Sequence, residues 1–168
     1  RARPAHRIGG VSTTPHHRRT LHALRLHGPW LAARIEESPI LLDITEGMPK
    51  FERTVPRHDP EHFAVLIFDP ADGTRFVVEV QTGDADTDQL ARALELWEAE
   101  RTRLPVAHRV VVAAEHIPAD VAHAAALAQA TAPVELLELH AEQTGNIVTV
   151  HGEPVPLPGP DDPIAPGP

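Results

Sequence analysis

Two apolar runs, "HFAVLIFD" at residues 62–69 and "TRFVVEVQ" at residues 74–81, stand only four residues apart, joined by "PADG". Pro70 suits the first central position of a turn, and Gly73 suits a left-handed exit from it. An antiparallel hairpin with a four-residue loop follows. Asp69 then pairs with Thr74, and counting back along the strands places Ala64 opposite Glu79 and His62 opposite Gln81. A slip of one residue would bring Phe63 or Val65 to Glu79 instead. Because side chains alternate along a strand, these four positions share one face. A carboxylate in so apolar a strand is costly unless it is solvated, paired or metal-bound. The expectation is that Glu79 opens onto a cleft.

Regular elements flank the hairpin. "PKFERTV" reads as a short alternating strand. Leu21, Leu24, Leu31 and Ile35 have helical spacing interrupted at Gly28-Pro29, which predicts two short helices or one kinked helix. A helix is predicted over residues 87–101, with Leu90, Ala93, Leu94 and Trp97 on one face and Asp86 or Thr87 as its cap. "HRVVVAAEH" reads as a buried strand, "PADVAHAAALAQAT" as a helix, "VELLELHA" as a further strand and "NIVTV" as an edge strand. Strand–helix–strand units demand right-handed crossovers, hence parallel neighbours. The fold class is α/β, a mixed sheet built around a central hairpin with helices on both faces.

The chain of 168 residues carries a net charge of −9, unevenly distributed. Residues 1–35 hold Arg1, Arg3, Arg7, Arg18, Arg19, Arg25 and Arg34 and neither Asp nor Glu, so all 24 acids lie beyond them. Such an arm either sits on phosphates or folds back on the acidic body. In the first case Arg7, Arg18, Arg19 and Arg25 are the nucleic-acid-binding residues. His6, His16, His17, His22 and His27 lack the spacing of a zinc helix and are read as solvated. Without cysteine, disulfides and thiolate metal sites are excluded. No long apolar run or signal segment is present, which predicts a soluble, cytoplasmic protein with no membrane partner. The division expected is a basic flexible arm over residues 1–19, one domain over 20–152 and a Pro-rich tail over 153–168. Either the arm or the tail is placed to dock a protein partner.

The run "ARIEESPILLD", the hairpin with "ADGTRFVVEVQ", then "DQLARALELWE", "HRVVVAAEHIPADVAHAAALA" and "VELLEL" together resemble the PD-(D/E)XK nuclease superfamily. The likeness is greatest to its RecB-like branch, with the C-terminal domain of the archaeal and actinobacterial mismatch endonuclease. It covers roughly residues 30–141 and implies a restriction-endonuclease-like core of a magnesium-dependent DNA endonuclease. In that family an Asp on the first hairpin strand and the Glu of an E-x-K on the second hold magnesium, an ion suited to hard oxygen ligands. By the resemblance Glu79 is the motif Glu, Gln81 stands in place of the Lys and Gln89 is the helical Gln. These three are the catalytic candidates.

The departures are as specific. Ala64 stands where the metal-binding Asp belongs, and Ala32 and Ala33 where the first helix offers an acid, with Glu36 and Glu37 a turn later. His62, one pair from Ala64 on the same face, is the substitute ligand beside Glu79. Asp84, Asp86 and Asp88 are read as a polar loop and helix N-terminus, where the dipole favours acids. Three readings remain open: an impaired nuclease-fold module that binds nucleic acid or a larger assembly, an active magnesium-dependent endonuclease using a substitute acid, and a purely structural domain.

Overall fold

The computed structural model describes residues 18–159. Arg7 and most of the basic arm therefore lie outside the described residues.

Strands β3 (His62–Phe68) and β4 (Arg75–Asp84) form the hairpin. Its turn is closed by the Asp69 amide donating to the Thr74 carbonyl at 2.9 Å and the Gly73 amide donating to the Asp69 carbonyl at 2.9 Å. Gly73 takes φ 79°, the left-handed conformation that only glycine adopts without strain. The register is the one counted from the sequence, with Ala64 opposite Glu79 and His62 opposite Gln81.

Strand β2 (Lys50–Pro56) pairs antiparallel with β3, with a bulge between Phe51 and Arg53. On the other side, helix α2 (Thr87–Arg103) returns the chain so that β5 (His108–His116) lies parallel to β4. Helix α3 (Ala119–Ala128) repeats the crossover to β6 (Val134–Thr144), and β7 (Ile147–Val155) turns back antiparallel on β6. A two-residue strand, β1 (Arg18–Arg19), pairs with Glu142 and Ala141 of β6. Because β7 already holds one edge of β6, β1 lies on the edge shared with β5, beyond their last pair at Glu138. Among the described residues the sheet is mixed and seven-stranded, of α/β class with a restriction-endonuclease-like core.

Alternation divides the core between two faces. Leu31 and Ile35 of helix α1 (Gly28–Glu37) pack on Val65, Ile67, Val78, Val80 and Val111. On the opposite face Leu90, Ala93 and Trp97 of α2 and Val121 of α3 pack on Leu66, Val77, Val110 and Val112. Glu79 lies two residues beyond Val77, so it points to the α2 face.

Two local expectations are corrected. Leu21 and Leu24 are not on a helix: residues 21–25 form turns in which Arg25 takes φ 57°, and the Leu24 and Leu26 amides both donate to the Leu21 carbonyl. Gly28-Pro29 does not interrupt a helix but begins one, since proline in the first turn forfeits an amide that has no intrahelical acceptor. Gly28 is required by packing, because a Cβ there would collide with the Pro60 carbonyl. The last strand also runs further than "NIVTV" suggests, to Val155 through Pro154, which an edge strand tolerates.

Candidate functional site

Glu79 sits at the middle of the sheet, between Ala64 of β3 and Val112 of β5. It is fully buried. It opens onto no cleft and is instead held in place by two guanidinium groups. Arg57, one residue beyond β2, donates from Nε to Oε1 at 3.0 Å and from Nη2 to Oε2 at 2.6 Å. Arg92 of α2 adds Nε to Oε1 at 3.3 Å. The two-pronged Arg57 contact is the strong form of a charge-assisted hydrogen bond. Of the three ways to keep a carboxylate in an apolar strand, this chain uses pairing.

Gln81 and Gln89 extend the network. The Arg92 Nη2 donates to Gln81 Oε1 at 3.2 Å, while Gln81 Nε2 donates to the Asp84 carbonyl at 2.7 Å and to Asp86 Oδ2 at 3.1 Å. Asp86 caps α2, its Oδ1 accepting from the Gln89 amide at 2.6 Å. Burial works to raise the Asp86 pKa, but the hydrogen bonds from Gln81 and the Gln89 amide and the nearby Arg92 charge hold it below the ordinary aspartate range. The side chain of Gln89 is fully buried, and its Nε2 donates to the carbonyls of Glu79 at 3.0 Å and Ala113 at 2.9 Å, tying β4 to β5. Its Oε1 is buried without a hydrogen-bond partner. Gln89 and Arg92, three residues apart on α2, present themselves together to the sheet.

Of the sequence candidates, Glu79, Gln81 and Gln89 come together. His62 is on the same face opposite Gln81, but its Nε2 stands 4.0 Å from Asp59 Oδ2. Glu36 and Glu37 are exposed on α1, across the sheet from Glu79. Arg19 and Arg25 are exposed, with Arg19 reaching Gln143 at 3.3 Å. Arg18 and Arg19 lie on β1, which pairs with Ala141 and Glu142 of β6 beyond the end of β5. Arg57 and Arg92 are the residues that sequence reasoning missed. The spacing of Arg92 after Gln89 was a usable signal for one of them. Arg57 follows the end of β2 and reaches Glu79 only through the tertiary packing of β2 against the hairpin.

The donor set does not fit magnesium. Both oxygens of Glu79 are engaged by guanidinium groups, the residue opposite is an alanine, and no group of three His, Asp or Glu among the described residues is arranged to hold a metal. A divalent cation needs several oxygen ligands around one point. Here two arginine side chains supply the neutralising charge.

No family model and no curated protein matches the chain. Two solved structures are similar to it, each 20% identical. EndoMS in apo form aligns over 56% of this chain and 39% of its own with a TM-score of 0.48, and the EndoMS–dsDNA complex over 67% and 46% with a TM-score of 0.50. The chain thus spans less than half the length of these neighbours. No helix among the described residues is long and apolar enough to cross a membrane. At this identity the likeness is one of architecture: the mixed sheet with its central hairpin is a nuclease-like fold.

Proposed function

We propose that this chain is a nuclease-fold module that binds DNA and has exchanged metal-dependent cleavage for an arginine-held carboxylate. The observation that carries the reading is the state of Glu79, fully buried with Arg57 on both oxygens and Ala64 across the hairpin. In-line attack on a phosphodiester needs charge stabilisation at the reacting oxygens, and the nuclease fold supplies it through metal-holding carboxylates. One buried carboxylate already neutralised by guanidinium groups has nothing left to offer a metal. DNA as the ligand is supported by the fold shared with the EndoMS–dsDNA complex. The acidic body keeps that binding modest, and its arginine–phosphate contacts make it salt-sensitive.

The test uses the full chain with a labelled duplex and a supercoiled plasmid, in magnesium and in EDTA. Binding that weakens with salt, is indifferent to EDTA and leaves the plasmid intact is the expected result. Magnesium-dependent nicking that disappears in Glu79→Ala would refute the proposal. Absence of duplex binding at low salt would remove DNA as the ligand.

A further inference from the structure

We infer that Glu79 is an internal competitor for phosphate: it holds Arg57 and Arg92 against the sheet, and a phosphodiester of the nucleic-acid ligand takes over Arg92 while Arg57 keeps the buried carboxylate paired. The inference rests on the DNA reading above and specifies how that site is regulated. Three features carry it. First, the arginines are the exposed members of the cluster, with side-chain exposures of 23% for Arg57 and 27% for Arg92 against 0% for Glu79. A ligand from solution meets guanidinium before it meets carboxylate. Second, each guanidinium uses Nε and Nη2 inward, leaving Nη1 outside the hydrogen bonds of the cluster. The planar fork suits phosphate as it suits carboxylate. Third, the grip is graded. Arg57 is held at 3.0 and 2.6 Å, Arg92 at 3.3 and 3.2 Å. Arg92 is the one released.

Around this cluster the other charges oppose an anion. Asp86 stands beside Arg92, Asp84 and Asp88 flank it, and Asp59 lies beside His62. Free phosphate is therefore a poor ligand, and only a polyanion anchored elsewhere on the chain brings a phosphate here at useful concentration. The closed pairing lowers apparent affinity by the fraction of molecules in which Arg92 is free.

The experiment has two arms. In wild type, the Nε–H resonances of Arg57 and Arg92 are followed by NMR while a short duplex is titrated in at low salt. Arg92 is expected to shift, and an unchanged Arg92 resonance at saturating duplex would overturn the inference. In the second arm, duplex affinity is measured by fluorescence anisotropy for Glu79→Gln, with Glu95→Gln, an exposed position on the same helix as Arg92, as the control for net charge. Glu79→Gln is expected to tighten binding by about tenfold, with little change for Glu95→Gln, and adding Arg92→Gln is expected to cancel the gain. A folded Glu79→Gln no tighter than Glu95→Gln overturns the competitor role while leaving DNA binding intact. Failure of every form to bind duplex overturns the DNA reading as well.

Discussion

Replacing Arg57 with alanine tests the central contact of the structure. The substitution removes two charge-assisted hydrogen bonds, at 3.0 and 2.6 Å, from a carboxylate with no solvent exposure. Glu79 keeps only the longer Arg92 contact at 3.3 Å. Breaking a buried pair from one side costs about 3–5 kcal/mol, because a charge is left without compensation. Arg57 is partly solvated in the folded state and Arg92 remains, so the lower end, about 3 kcal/mol, is expected. In urea, with a slope of about 2 kcal/mol per molar for a domain of this size, the midpoint falls by roughly 1.5 M at unchanged slope. The partner variant sharpens the test. Glu79→Gln alone leaves no buried charge, since both arginines reach water, and should cost less than Arg57→Ala. In the double variant the combined destabilisation should fall well short of the sum of the two single effects, by about 1–3 kcal/mol. A midpoint shift below about 0.3 M for Arg57→Ala, or strictly additive effects, would show that the pair is not a buried ionic contact.

Two further outcomes follow from charges elsewhere. Burial tends to raise the pKa of Glu100, but the hydrogen bond from Arg103 and the charges of Arg53, Arg103 and His108 bring it below the ordinary glutamate range. A depressed carboxylate stabilises the fold above its unfolded pKa and loses that contribution as pH falls through the folded one. Glu100→Gln should therefore be less stable than wild type at neutral pH and approach it in acid, and parallel stability curves across that range would contradict this. For the arm, deleting residues 1–17 should shallow the salt dependence of duplex binding by about 0.9 in log slope for each phosphate that the arm had neutralised; an unchanged slope would assign phosphate binding to the folded body.

The hairpin was readable from the sequence because every determinant was local: a turn of known chemistry, strands of matching length and a face period of two. It placed Ala64 opposite Glu79 correctly and so located the missing acid. The partners of Glu79 were only partly readable: Arg92 follows Gln89 by three residues on the same helix, whereas Arg57 lies 22 residues from Glu79 and reaches it only through tertiary packing. The same limit affected the segment before α1. Leu21 and Leu24 have helical spacing, yet Leu21 is buried by a turn whose amide donates to Glu115 Oε1 at 2.6 Å, a residue 94 positions away. Periodicity records which side chains are buried, not which backbone carries them.

The bulged strand β2 also bears on how copies of this chain meet. Among the described residues it is the outermost strand on the hairpin side, and a margin of unpaired amides and carbonyls invites a second molecule to add a strand. Here the bulge between Phe51 and Arg53 breaks the even spacing of those groups, and Pro56 ends the strand without an amide to give. At the opposite margin Pro154 interrupts β7 in the same way. Among the described residues both outer strands thus carry features that discourage a further strand from being added.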